Sequence, residues 1–483
     1  MMQFNSYVFI LAFLPVMLLA YYLIGKFNQR FGKIIIIIGS IVFYGYSDIT
    51  MVKILAVSIL INLLFAKMIE RIKWKKLFMA IPVFINVGLL LYFKYTNFAI
   101  TNVNSWFCKE IPLKEIIMPI GISFFTFQQI AYIVAVYRQE ISKVNIIDYI
   151  AYILYFPKLL MGPLMDPVEF VEQFNDSQLK KIDWNNIAYG VKIFSFGLLK
   201  KVLFADTFAK AVEWGFTNKE AATSMDWILV MLFYTLEIYF DFSGYSDMAV
   251  GTSLMFNITL PINFDSPYKA VSIRDFWKRW HISLTKFFTK YIYIPLGGSK
   301  KGIIFTCVNT MIVFLISGIW HGANWTFILW GLLHGAFSVF DRLIEKKSRK
   351  IFEPARWLVT FAVVNVLWLL FRANSVSQWI EILNIIKGLA NTTVSDGLIG
   401  VFSIPEMSIV FNTFPSVDKL NTDMRGFMMV IFLLISLVIC IIPENNYRNL
   451  KKLSVVSMIF AAFAIIWGIT CLGGESVFVY FDF

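Results

Sequence analysis

Charged side chains are scarce in this chain of 483 residues. Asp, Glu, Lys and Arg make up 15% of it, whereas hydrophobic residues make up 58% and aromatic residues 17%. Soluble globular proteins carry about 25% charged residues, and the mean hydropathy here is +0.70. Such a composition argues against a soluble enzyme, a disordered chain and a secreted disulfide scaffold. It indicates an integral membrane protein with many spans.

Cysteine and the common catalytic motifs are also poorly represented. The four cysteines, Cys108, Cys307, Cys440 and Cys471, are scattered and form no CxxC pair, so no metal or redox site is predicted. The sequence contains no GxSxG, Walker A or HExxH motif, which makes an NTP-driven pump or a zinc protease an improbable function. No internal repeat is evident, although many transporters contain one.

We attribute the net charge of +12 to Lys and Arg residues in loops that lie next to the bilayer. No basic tail or RNA-binding motif accompanies it, so no nucleic-acid partner is expected. Loops 25–33 and 67–76 are rich in Lys and Arg, whereas loop 47–53 between them carries only Lys53. The positive-inside rule then places the N-terminus outside the cytoplasm.

Apolar runs along the whole chain predict ten to twelve true spans. The first run, Tyr7 to Ile24, lacks a basic region before it and a cleavage site after it, so we interpret it as a spanning helix. Several later runs are too short to cross comfortably and are expected to be tilted, broken or re-entrant. All the candidate spans after the first lie at about 34–46, 54–69, 77–93, 116–137, 147–165, 187–205, 226–242, 303–318, 324–340, 356–371, 427–442 and 453–472.

The longest polar interruption covers about 373–426. Within it, apolar residues recur at helical spacing, which predicts a helix lying on a membrane surface or packed on the rest of the protein. These residues are Trp379, Ile382, Leu383, Ile386 and Leu389.

All three histidines fall between positions 281 and 334, where proton chemistry near neutral pH is therefore available. His281 lies in segment 272–302, which we interpret as one interfacial helix ended by Pro295 and Gly297–Gly298. The cations of this segment either anchor the helix at the interface or bind phosphates of a soluble donor.

His321 sits in an apolar stretch with GxxxG spacings at Gly318 and Gly322 and at Gly331 and Gly335. Small residues at this spacing let helices approach closely. His321 either hydrogen-bonds a neighbouring helix or takes part in catalysis. On a continuous helix His334 would lie nearly opposite, so we interpret it as packing or secondary support.

Segment 236–251 concentrates polar groups in an apolar chain. Glu237 and Asp241 are four apart and share a helix face, and residues 243–247 are expected to end the helix with Ser and Asp caps. A carboxylate that orients a histidine or lines a polar tunnel is the alternative.

Eight blocks follow one another in a familiar order: PIGISFFTFQQIAYIVAVYR, FPKLLMGP, GLLKKVLFAD, IYFDFSGYSDMAVG, INFDSPYKAVSIRDFWKRWHISL, YIYIPLGGSKKG, SGIWHGANWTFILWGLLHG and FVYFDF. Together they resemble the membrane-bound O-acyltransferase (MBOAT) family, most nearly its bacterial branch typified by the membrane protein of alginate O-acetylation. The resemblance runs from about 116 to 375 and resumes at the C-terminus.

The resemblance implies an all-α membrane protein whose tilted helices form a ring around a central tunnel. It implies one membrane domain made of N-terminal helices (1–115), a catalytic core (116–375), an interfacial or loop segment (376–426) and C-terminal helices with the tail (427–483). The expected place is the bacterial cell membrane.

The resemblance also implies an acyl donor, acetyl-CoA, with no bound cofactor and no metal. His321 corresponds to the family's catalytic histidine and is expected to be the general base, because a desolvated histidine is favoured in its neutral form. His281 is expected to orient the donor or stabilise the oxyanion, and Asn324 to hydrogen-bond His321 or the acyl oxygen. Further candidates for holding the site or binding substrate and donor phosphates are Asp241, Asp247, Trp320, Lys278, Arg279, Lys300 and Lys301.

The sequence does not identify the molecule that accepts the acyl group. The expected partners are an extracytoplasmic SGNH-type transferase and a surface polysaccharide, and Tyr480 either carries the acyl group or anchors the tail at the interface. The alternatives are D-alanyl transfer to teichoic acid, a transporter of a lipid-linked sugar, and a scaffold that recruits other enzymes.

Overall fold

The described part of the chain is all-α. A computed structural model describes residues 2–46, 48–177, 181–348, 350–389, 391–402, 415–442, 453–472 and 478, and no β-strand occurs within these ranges. The α-helices, α1 to α20 in chain order, are Leu14–Gly25, Gln29–Gly45, Ile49–Arg71, Lys75–Phe107, Ile122–Tyr137, Ile146–Leu154, Phe156–Leu159, Pro167–Asn175, Trp184–Leu199, Asp206–Thr217, Ser224–Met255, Ile273–Arg279, Ile282–Phe288, Ile303–His321, Trp325–Ser348, Glu353–Arg372, Val376–Gly388, Asp396–Gly400, Pro415–Ile441 and Val455–Thr470.

Eight helices of the described chain are long and apolar enough to cross a membrane, which confirms an integral membrane protein. Two shorter apolar helices, α5 and α20, are further candidates towards the predicted ten to twelve spans. The eight are Val8–Gly25, in which a π-helical turn precedes α1, Ile49–Arg71, Lys75–Phe107, Ser224–Met255, Ile303–His321, Trp325–Ser348, Glu353–Arg372 and Met424–Ile441.

The segment predicted as a span at 147–165 is instead broken. Helix α6 ends at Leu154, α7 has only four residues with Pro157 in its first turn, and residues 160–166 are not helical. Pro163 cannot donate a backbone hydrogen bond, and a Cβ on Gly162 would lie 2.3 Å from Lys158 Cα. Irregular backbone can be tolerated at membrane depth only when protein shelters it, and residues 151–165 are all buried.

Helix α11 runs unbroken through segment 243–247, so the predicted helix end there is wrong. Its 32 residues extend from Ser224 to Met255. Gly244 packs against the end of α9, since a Cβ at this position would lie 2.8 Å from the Gly197 carbonyl oxygen. The small polar residues therefore allow a close helix contact and do not end the helix.

The described chain forms two compact units. The first contains residues 1–195, 245–262 and 453–462, and its core is rich in aromatic rings in contact with one another, such as Phe9, Phe13 and Phe156. The second contains residues 196–244, 263–452 and 463–483, and all three histidines belong to it. The implied ring of helices around a tunnel stays a prediction, as does the division into four segments.

Helices α14 and α15 form a tightly packed hairpin in the second unit. Gly318 faces Gly331, and a Cβ added to either glycine would lie 2.4 Å from a backbone carbonyl oxygen, that of Phe327 or Phe314 respectively. Residues 322–324 are not helical, so the assumption that His321 and His334 lie on one continuous helix is wrong. Asn324 begins α15, because its Oδ1 accepts a hydrogen bond from Thr326 N at 3.0 Å.

We expect Gly331→Ala to lower the thermal midpoint of the detergent-solubilised protein, because the new methyl group must push the hairpin apart. Overpacking of this kind costs about 1–3 kcal/mol. The matched control is Gly88→Ala, at a glycine inside α4 with nothing within 4 Å of an added Cβ, which should be neutral or slightly stabilising. Tryptophan fluorescence during heating measures both. Equal midpoints for the two variants would contradict the close contact.

Candidate active site

The prediction of one helix within segment 272–302 is wrong, because the helix is interrupted at His281. Helix α12 ends at Arg279 and α13 begins at Ile282, and a π-helical turn, Thr289–Tyr293, follows. His281 has φ +45°, in the left-handed region that non-glycine residues seldom adopt. Such backbone strain is found preferentially at functional sites.

Asn263 fixes this break by pairing with the chain just after it. Ile282 N donates to the Asn263 carbonyl oxygen at 3.0 Å, and Ser283 Oγ donates to Asn263 Oδ1 at 2.6 Å. On the other side, Asp265 N donates to the Arg279 carbonyl oxygen at 3.0 Å. These bonds replace the helical ones that are lost at the break, and they set the direction of the His281 side chain.

The His281 imidazole is buried and has unused hydrogen-bonding capacity. The residue is 1% exposed, and neither ring nitrogen has a hydrogen-bond partner within the described chain. Its ring packs against Phe242 and Trp320, at centroid distances of 4.7 and 6.3 Å. Burial lowers the pKa of His281 from 6.5 to about 3, so the ring is neutral at physiological pH. A buried polar group without a partner demands an explanation, and binding of a reacting molecule supplies one.

His321 is the last residue of α14 and lies in a cage of aromatic rings. It is 4% exposed, and its ring centroid lies 4.8 Å from that of Trp320, 5.1 Å from Trp330 and 5.2 Å from Phe371. Trp320 contacts both histidines. The structure therefore brings His281, His321 and Trp320 together, as a shared site requires.

His334 lies against the same cage and is held by a hydrogen bond. Trp277 Nε1 donates to His334 Nδ1 at 3.1 Å, and the rings of Trp330 and His334 are 4.7 Å apart. Because Nδ1 is the acceptor, a neutral ring carries its proton on Nε2, and Nε2 is buried with no partner in the described residues. This geometry agrees with the supporting role predicted for His334.

Asn324 hydrogen-bonds the backbone at two points. Its Nδ2 donates to the Asn374 carbonyl oxygen at 2.9 Å while its Oδ1 caps α15. The amide can form further hydrogen bonds beside these two, so its predicted bond to His321 or to the acyl oxygen stays a prediction. Tyr480 lies outside the described residues.

The carboxylates of segment 236–251 are divided between the units. Asp241 belongs to the second unit, is 0% exposed and lies 2.8 Å from Lys201 Nζ. Asp247 belongs to the first unit and is buried there. A role for either in holding the histidines stays a prediction.

A cavity of about 290 Å³ lies beside the histidines and is rich in hydroxyl groups and cations. One wall is the face of α14 formed by Thr310, Phe314 and Ser317, and His321 is one turn further along this face. Trp277, which is bonded to His334, also lines it. Its remaining lining residues include Arg274, Lys278, Arg342, Thr285, Thr289, Tyr293, Ser299 and Ser338.

The predicted phosphate-binding cations fall into two groups. Lys278 lines the cavity and is exposed. Arg279 instead forms an ion pair with Asp275, at 3.0 Å, and Lys300 and Lys301 are exposed residues that do not line the cavity.

Two arginines also line the cavity, and only Arg342 escaped prediction from the sequence. Arg274, one of the cations of segment 272–302, lies in α12, where its Nη1 is bonded to Glu345 at 2.9 Å. Arg342 lies in α15, and His334, Ser338 and Arg342 follow one another at intervals of four residues. That spacing was a usable signal of one helix face.

Comparisons with known proteins show what the chain is similar to. Residues 101–377, which contain the three histidines, match the family model described as MBOAT, membrane-bound O-acyltransferase family. A peptidoglycan O-acetyltransferase of Helicobacter pylori is 35% identical over 99% of this chain and 97% of its own length. A protein of Pseudomonas aeruginosa named "Probable alginate O-acetylase AlgI" is 37% identical over 77% of this chain and 72% of its own. A teichoic acid D-alanyltransferase of Bacillus subtilis is 28% identical over 52% of this chain and 67% of its own.

Acidification should destabilise the protein partly through His281. Between pH 6.5 and about 3 the unfolded chain binds a proton at this ring that the folded protein does not. The free energy of unfolding therefore falls as pH drops below 6.5, by about 1.4 kcal/mol per pH unit. Asparagine does not titrate in this range and tolerates a positive φ. The thermal midpoint of His281→Asn should therefore fall less than that of the wild-type protein between about pH 7 and about pH 5. An equal fall in both proteins would exclude a buried neutral imidazole.

Proposed function

Because the chain belongs to the membrane-bound O-acyltransferase family, we propose that it transfers an acetyl group from cytoplasmic acetyl-CoA towards a hydroxyl group of an exported polysaccharide, with His321 as general base. The chain is a multi-pass membrane enzyme, an acyltransferase of the O-acetylation branch. The transporter and the scaffold considered from the sequence are therefore not proposed. The observation that carries the proposal is the pair of buried histidines, His281 and His321, which both contact Trp320.

The proposed reaction needs a general base, a hydrogen-bond donor that stabilises the oxyanion, and a source of a proton for the leaving group. His321 takes the proton of the attacking hydroxyl, whose oxygen bonds to the thioester carbonyl carbon. The C–S bond then breaks, and the imidazolium returns the proton to the departing thiolate. Helix α14 ends at His321, and the partial negative charge at a helix C-terminus stabilises positive charge formed there.

His281 is suited to donate a hydrogen bond to the oxyanion that forms at the thioester carbonyl. Its neutral ring has one N–H, and neither nitrogen is used within the described chain. A donor that is fixed in advance, as Asn263 fixes the turn at His281, stabilises developing charge without reorganisation during the reaction. The aromatic cage excludes water, which strengthens this interaction.

The cavity beside α14 is the proposed passage for the donor. Arg274, Lys278 and Arg342 offer positive charge for phosphate groups, and the wall that continues towards His321 carries hydroxyl groups for the amides of the pantetheine arm. The cavity volume of about 290 Å³ is at the lower end of ligand pockets. It therefore suits the elongated arm, with the nucleotide outside.

The proposed acceptor is a cell-envelope polysaccharide. The relative that covers nearly the whole chain is named for peptidoglycan, so we place peptidoglycan first and other exported polysaccharides second. An extracytoplasmic SGNH-type transferase completes the proposed route, with Tyr480 as candidate carrier. The proposed location is the bacterial cytoplasmic membrane, with the N-terminus outside.

Replacement of His321 should stop the reaction and leave the fold intact. His321→Ala should lower acetyl-CoA-dependent thiol release in proteoliposomes by about 100-fold or more, as expected for loss of a general base. The matched histidine variant is His334→Gln, which should keep much more activity because His334 supports the site by packing. Thermal midpoints of both variants verify folding. Full turnover by His321→Ala would refute the assignment of the base.

Replacement of Lys278, one of the three cations that line the cavity, should weaken the binding only of acyl donors that carry phosphate groups. Lys278→Gln should raise KM for acetyl-CoA by about tenfold, the loss of one charge-assisted hydrogen bond, and leave KM for S-acetyl-pantetheine unchanged. Arg279→Gln is the control, since Arg279 is already paired with Asp275. If both donors are affected equally by Lys278→Gln, Lys278 does not bind phosphate. Transfer of D-alanine from a carrier protein, with no use of acetyl-CoA, would favour the teichoic acid reaction instead.

A further inference from the structure

A second group of buried charges lies in the same unit and has no role in the reaction proposed above. Lys201 Nζ lies 2.8 Å from Asp206 Oδ1 and 2.8 Å from Asp241 Oδ1. The Lys201 side chain is 2% exposed and that of Asp241 is 0% exposed. The three residues come from three consecutive elements, the π-helical turn Lys200–Ala205, α10 and α11, so the ion triad joins them.

The C-terminal tail reaches this ion triad. Phe478 is 0% exposed, and Lys201 Nζ lies 4.5 Å from the centroid of its ring. A cation over an aromatic face is attracted most strongly where water is excluded, which is the case here. The neighbouring Lys200 offers an internal comparison, since it is partly exposed and its Nζ lies 5.9 Å from the Tyr239 ring.

Stability alone explains the ion triad poorly. Removal of charges from water costs more than an average ion pair regains, and well-packed apolar residues are often as stable. A buried cation does, however, give specificity: it selects an aromatic ring at one place, whereas an apolar surface would accept many side chains in many positions.

We propose that Lys201, Asp206 and Asp241 form the binding site of the C-terminal tail and are positioning residues, which hold the tail through the ring of Phe478. The two carboxylates fix the ammonium group, and the ammonium group fixes the ring. Phe478 stands two positions before Tyr480 in the sequence, so we expect loss of this attachment to slow acyl transfer if Tyr480 is the acyl carrier. This last consequence rests on the proposed function, whereas the attachment itself does not.

Hydrogen–deuterium exchange of the full-length protein in detergent tests the attachment directly. Phe478→Leu keeps apolar bulk but removes the ring, and we expect exchange in the C-terminal peptide to become at least tenfold faster. Phe478→Trp retains an aromatic face and should keep exchange within about twofold of wild type. The triple variant Lys201→Met/Asp206→Asn/Asp241→Asn removes the cation without leaving an unpaired charge, and should match Phe478→Leu. The control is Lys200→Met, which should exchange as wild type does.

Unchanged exchange of the C-terminal peptide in Phe478→Leu would overturn the proposal. If the triple variant does not fold, the comparison of Phe478→Leu with Phe478→Trp decides alone. A second readout separates positioning from general damage: Phe478→Leu should lower kcat for acyl transfer with KM for acetyl-CoA unchanged, and Phe478→Trp should restore it. A wild-type protein that consumes no acetyl-CoA would refute the proposed function and leave the exchange result standing.

Discussion

The contact between Gly318 and Gly331 determines where the central histidine can lie. Two helices approach until each glycine Cα faces the backbone of the other helix, and a lipid environment gives no hydrophobic drive for such packing, so close van der Waals contact must provide it. The hairpin turns immediately after His321. The His321 imidazole is therefore carried by a closely packed pair of helices, and the rings of Trp330 and Phe371 restrict its remaining freedom.

The site combines this rigidity with unpaired polar atoms. His281, His334 and Trp330 each bury a nitrogen that has no hydrogen-bond partner within the described chain, and each such group costs about 1–3 kcal/mol. Stability would favour their replacement by apolar groups. An enzyme that must receive a polar thioester and a hydroxyl in a dry interior needs such atoms, because they replace the water that the reactants lose.

The sequence predicted features that follow from composition and periodicity, and failed where tertiary contacts decide. Hydropathy identified the eight helices of the described chain that can cross a membrane, but it also predicted a span at 147–165, which is broken. The scarcity of polar groups directed attention to His281 and His321. The chain break at His281 was missed, because a helical pattern continues through it and Asn263, which fixes the break, stands 18 positions earlier. The continuity of α11 was missed because Ser and Gly are typical of helix ends, whereas here they permit close packing. Lys201 was missed because its partners lie in other helices.

The left-handed backbone at residue 281 also limits how this position can change during evolution. A histidine codon converts by a single nucleotide change to Asn, Asp, Tyr, Gln, Arg, Leu or Pro, and among these only Asn and Asp adopt a φ of +45° readily. Neither of them has an imidazole. Every one-step path to another residue therefore loses the imidazole, and all except the paths to Asn and Asp also lose the favourable backbone, so this codon should resist drift.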